Sequence, residues 1–219
     1  MNYLSHFYIH QKPNDPYFNA GLILPDLGRS FVKTFKEVLI NPADLNLCAI
    51  SNGCLQHYEA DKLFHGSEFF KWGTLICTEE LKDLHFNNVV EKRWFIGHIL
   101  FEMLLDRLLV RHQPQVLTDF YDQIQLADLN QIKEFFILSK VNRKEKLLQY
   151  FNHFRKVQYI RSYIDTNLFV YSLSRVLIRA GLPALTFSDR AILEECVKRM
   201  ENDIFKDAYH VLLRLKKVF

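Results

Sequence analysis

Two imidazoles and a carboxylate, His57, Asp61 and His65, recur at four-residue spacing, and Ile50 and Cys54 begin the same stripe. At about 100° per residue, the five side chains share one helix face. The stripe starts apolar, so it should face the core, and its polar members then need partners to offset desolvation. Metal coordination is one way to satisfy such groups, although no single ion can be held by His57 and His65 together. A second stripe, His98, Glu102 and Asp106 with Arg107 alongside, interrupts the otherwise apolar run from Phe95 to Val110. Mixed His and carboxylate ligands suit manganese, iron or zinc; without a nearby Cys cluster, a structural zinc site is not expected. Helical rise sets the limits: residues i and i+4 stand about 6 Å apart along the axis, and i and i+8 about 12 Å. One helix therefore supplies one or two ligands, and the rest must come from the other helix and the N-terminal stretch. The rival reading is hydrogen-bonded core histidines and the wet side of a helix.

The elements that must carry these residues read as helices. Asn41 is a candidate cap, Pro42 fits the first helical position, and Gly66 fits the stop. A second helix is expected from Glu91 to Arg111, ending before Pro114. Further helices are expected at Leu129–Phe151, Asn167–Ala180 and Ser188–Lys217, with Asn167 and Ser188 as caps. A short helix through Gly21–Leu24 should be interrupted or ended by Pro25-Asp26. Tyr3 to Ile9 is apolar and allows a short extended piece. Nothing alternates with period two for long enough to demand a strand. The fold class predicted is all-α, one domain over residues 1–219.

Composition agrees. Hydrophobic residues at 49% support a large core, and seven Gly with six Pro in 219 residues suit long helices over a turn-rich β-sandwich. Cys48, Cys54, Cys77 and Cys196 show no C-x-x-C pair and read as reduced thiols. Met1 to His10 lacks the basic start and apolar run of a signal peptide, and no apolar run is long enough to span a bilayer. A cytoplasmic protein is expected. Residues 1–139 hold 12 Lys/Arg and 17 Asp/Glu, whereas residues 140–219 hold 16 and 8. That split suits a cation site in the first part and an anionic partner for the second. Nucleic acid is not expected as that partner, because no recognised motif accompanies the basic half.

The residues also carry a resemblance. Met1-Asn2-Tyr3-Leu4-Ser5-His6 is similar to the M-N-[FY]-L-x-H start of the acyl carrier protein phosphodiesterases. Gly21 to Asp26 resembles their G-x-L-x-x-D segment, and Gly53 to Asp61 resembles their G-x-H-x-H-x-x-x-D helix. Tyr159 to Ala180 is similar to the aromatic segment and following helix of that family. The resemblance implies an all-helical fold like that of the HD phosphohydrolases. It also implies manganese-dependent hydrolysis of the phosphodiester between 4′-phosphopantetheine and a serine of the carrier protein. Residue by residue, it carries over His6, Asp26, His57, Asp61 and His98 as metal ligands, expected in one pocket. Asp61, His98 and Glu102 are the candidate catalytic residues, and Arg161, Arg175 and Arg179 the candidate phosphate or partner ligands. Three positions depart from the pattern: Leu55 replaces the first His of H-x-H, His65 replaces an Asp, and Gly97-His98 stands for an Asp-His pair. Glu102 and Asp106 are then the carboxylates placed to compensate. The alternatives are an HD-like phosphohydrolase of a nucleotide or small phosphoester, and a helical binding protein that kept the fold without the chemistry.

Overall fold

The computed structural model describes residues 1–35, 38, 40–82, 84–87 and 92–219; Glu91, the expected helix start, lies outside them. All regular structure among the described residues is helical, as expected. The chain forms two compact units, each built from two separated stretches: Met1–Leu63 with Pro114–Tyr159, and Phe64–Gln113 with Ile160–Phe219. Because the units interleave along the chain, no linker composition marks them in the sequence.

The first unit contains α1 (Tyr3–His10), α2 (Pro16–Gly21), α3 (Leu24–Gly28), most of α4 (Leu45–Gly66), α7 (Pro114–Leu126), α8 (Leu129–Leu138) and α9 (Lys144–Val157). Its core is aromatic. Phe7 meets Phe120 edge-on at 5.3 Å between centroids, and Tyr3 and Phe120 both pack on Phe154. Asp15 caps α2 by accepting from the Phe18 amide, with Pro16 at the first helical position. The decisive approach is between α2 and α4. A Cβ at Gly21 would stand 2.2 Å from the Ile50 carbonyl oxygen, and one at Gly53 would stand 2.2 Å from that of Phe18. Only glycine at both positions lets these two backbones touch.

Several boundaries differ from expectation. The N-terminal stretch is helix, α1, rather than extended. Pro25 lies in the first turn of α3 instead of ending a helix, since the missing N–H costs nothing there. Asn41 and Pro42 belong to a turn, and α4 begins at Leu45 because Asp44 accepts from the Leu47 amide at 3.1 Å. The expected Leu129–Phe151 helix is two helices, and the segment between them holds Lys140 and Arg143 at positive φ.

The second unit contains the last turn of α4, α5 (Glu68–Lys82), α6 (Arg93–His112), α10 (Thr166–Arg179), α11 (Phe187–Asp203) and α12 (Ala208–Lys216). Asp165 caps α10 by accepting from the Leu168 amide, two residues before the expected cap Asn167. Thr186 and Asp189 form a capping box on α11, where Ser188 was the expected cap. Phe64, Phe69, Trp72 and Phe205 pack around the Phe101 ring. Arg107 and Asp106, read as part of a polar stripe, are buried. Arg107 donates to both carboxylate oxygens of Glu201, at 2.7 and 3.0 Å, and to Thr166 and the Tyr163 carbonyl. It is a structural ion pair of the core.

Candidate metal centre

The close approach of α2 and α4 determines the local chemistry of the first unit. One turn beyond Gly53, His57 Nδ1 lies 2.8 Å from the Leu22 carbonyl oxygen, just past the end of α2. A carbonyl only accepts, so Nδ1 carries the proton and Nε2 points the other way. On that side lie Asp61 Oδ2 at 3.6 Å and Asp26 Oδ1 at 3.8 Å. His6, brought in by α1, stacks on the His57 ring at 3.9 Å between centroids. Its Nε2 is 3.2 Å from Asp61 Oδ1.

His6 has no solvent exposure, and among the described residues neither of its ring nitrogens completes a hydrogen bond. The 3.2 Å approach to Asp61 is close enough for attraction, but its angles fail the geometry of a hydrogen bond. Leaving such a group unsatisfied costs about 1–3 kcal/mol. Burial, aided by the His57 ring, holds the His6 pKa well below its ordinary value, so the ring is a neutral nitrogen donor at pH 7. Asp61 is the opposite case. Burial would raise its pKa, but His6 and the Met1 ammonium, 2.7 Å from Oδ1, hold it well below the usual carboxylate range. The polar space therefore already accepts positive charge.

His6, His57 and Asp61 offer donor atoms within 4.8 Å of one another. Asp26 stands at their edge. A histidine with one nitrogen fixed by a backbone carbonyl and the other aimed at carboxylates has the orientation of a metal ligand. The donor set, two neutral imidazoles with carboxylates, fits a divalent cation of the manganese, iron or zinc class.

Four of the five expected ligands, His6, Asp26, His57 and Asp61, thus stand together. The fifth, His98, is in the second unit in a group of its own. His65 Nε2 and His98 Nε2 lie 2.9 and 3.1 Å from the same oxygen of Glu102. Burial would raise the Glu102 pKa, but these two contacts help to hold it well below the ordinary range. Helical spacing places His65 on the α4 stripe as a group that needs a partner, while the family resemblance gives it no ligand role. Its four-residue spacing from Asp61 was the available signal. Leu22 could not be found from its side chain, since it contributes only a carbonyl.

The chain matches no family model, no curated protein and no solved structure. Function therefore rests on the site itself. Arg161 is exposed in the 3-10 segment Tyr159–Ile164, and Arg175 and Arg179 are exposed on α10. Arg155, also basic and near them in sequence, is engaged in the first unit. It donates to the Ala127 carbonyl at 2.7 Å and to Asn152 at 3.1 Å. Among the described residues, no helix is long and apolar enough to cross a membrane.

Proposed function

We propose that the protein is a metal-dependent phosphodiesterase that releases 4′-phosphopantetheine from the serine of a holo-acyl carrier protein. The observation that carries a metal-dependent reading is His57, its Nδ1 committed to the Leu22 carbonyl and its Nε2 turned to Asp26 and Asp61, beside the unsatisfied His6 ring. The choice of substrate and of manganese rests on the family resemblance of these same four residues.

His6 and His57 would hold the cation as neutral donors, with Asp61 and Asp26 supplying the countercharge. When bound, the cation supplies the electrophilic charge that phosphoryl transfer to water requires. Asp61, held ionised by its neighbours, is a poor proton acceptor, so its role is to bind and orient. His57 keeps its proton on Nδ1, which prevents the ring from turning its donor toward the phosphoester. Arg161, Arg175 and Arg179, all exposed, are the guanidinium groups we assign to a phosphate or an acidic partner.

The test is release of 4′-phosphopantetheine from holo-carrier protein with added Mn2+, alongside bis(p-nitrophenyl) phosphate and direct metal analysis. Wild type is expected to bind metal and release the group. Asp61→Asn should lose at least 100-fold in rate, with at least tenfold weaker metal binding. Folded, metal-loaded wild type that releases nothing from the carrier overturns the substrate. Failure on both esters overturns the hydrolase reading.

A further inference from the structure

The second unit carries a separate convergence of ligand-type side chains. His65 ends α4, while His98 and Glu102 sit four residues apart on one face of α6. Their three donor atoms lie within 4.8 Å of one another. Both imidazoles use Nε2, and both aim it at one oxygen, Glu102 Oε1. A tetrahedral ion with bonds of about 2.0–2.1 Å holds its ligands roughly 3.3 Å apart. The observed 2.9 and 3.1 Å are short of that by a few tenths of an ångström. A slight outward movement of the three groups would admit the ion.

The rings are fixed by packing. Phe70 presses edge-on against both, with centroids 4.8 Å from His65 and 4.8 Å from His98, and Phe64 lies 5.6 Å from His65. The backbone of α6 is brought in by Gly97, where a Cβ would stand 2.4 Å from Thr78 Oγ1 on α5. Glu102 is 16% exposed, against 36% for His65 and 26% for His98, so the group sits below the surface with a way in. Holding a low-pKa carboxylate between two imidazoles on buried helices is costly unless the charges are matched.

We propose that His65, His98 and Glu102 form a second cation site, specific for a borderline transition ion such as Zn2+ and distinct from the group at His6, His57 and Asp61. Two imidazoles and one carboxylate leave a fourth position open, which suits a site that keeps a water or takes a ligand oxygen. The site stands whether or not the first group works as a phosphodiesterase centre.

Stoichiometry by equilibrium dialysis against Zn2+, with Co2+ absorption as a second readout, tests it on the full chain. Asp61→Asn, which disables the first group, is expected to retain one equivalent of Zn2+ and a visible Co2+ spectrum. Adding Glu102→Gln, or separately His65→Gln from the other helix, should reduce that equivalent to below a tenth, with the helical circular dichroism unchanged. Glu102→Gln alone should keep only the equivalent at the first group, so loss of one reading is distinguishable from loss of the other. If Asp61→Asn binds no Zn2+, or if folded Asp61→Asn/Glu102→Gln still binds one equivalent, the second site is overturned.

Discussion

Leu22 gives the candidate group at His6, His57 and Asp61 nothing of its side chain, yet its carbonyl decides which nitrogen of His57 is free of a proton. Because that oxygen only accepts, His57 should hold its proton on Nδ1 in the metal-free protein at neutral pH. Long-range 1H–15N correlation of the imidazole nitrogens reads this directly, and an Nε2-protonated neutral ring would reject the orientation. His57 and Asp61 were legible from helical spacing and from the family-like motifs, His6 and Asp26 from those motifs alone. What the sequence withheld was their partners. Backbone carbonyls have no residue signature, and the unsatisfied state of His6 exists only once α1 is packed. The same limit explains Arg107. A charged residue beside a polar stripe reads as exposed, whereas here Glu201, 94 positions away, pairs with it in the core.

At the scale of elements, the Gly21–Gly53 contact explains why the site stands where it does. Both backbones would have to separate to admit a methyl group, because each Cβ would meet a carbonyl oxygen at 2.2 Å. Gly53→Ala should therefore destabilise the protein by about 1–3 kcal/mol, the range of core overpacking. It should also weaken metal binding, since it pushes the His57 turn away from Leu22. Urea unfolding followed by metal titration checks both effects; unchanged stability would mean that the two helices are not in contact there. Helix type was legible from periodicity, and most boundaries were not. Asn41-Pro42 satisfied the composition of a helix start, but Asp44 made the hydrogen bond that begins α4. In the same way, Leu129–Phe151 kept a helical pattern across a segment where Lys140 and Arg143 take positive φ. Such a turn is invisible without a glycine to announce it.

For the whole molecule, folding redistributes the charge that the sequence separates. Residues 140–219 carry twice as many basic as acidic groups, but the two units do not inherit that contrast. The first unit holds 12 Lys/Arg and 11 Asp/Glu, and the second holds 16 and 14. The basic C-terminal part is divided between the two units, and in the second unit Arg199 pairs with Glu80 from the acidic first part of the chain. An acidic carrier protein would thus meet local groups of arginines, not a uniformly basic half. Arg175 and Arg179, exposed one turn apart on α10, are the pair to reverse. Exposed charges mainly steer encounter and are screened by salt. Arg175→Glu/Arg179→Glu should weaken binding of holo-carrier protein roughly three- to tenfold at low salt, and by less at high salt. Arg155→Glu should act differently, lowering stability, because its guanidinium ties α9 to the Ala127 carbonyl. Calorimetric titration at two ionic strengths, paired with thermal unfolding of each variant, separates the two roles. Equal affinity for the double variant and wild type at low salt would remove α10 from the docking surface and turn the search to Arg161.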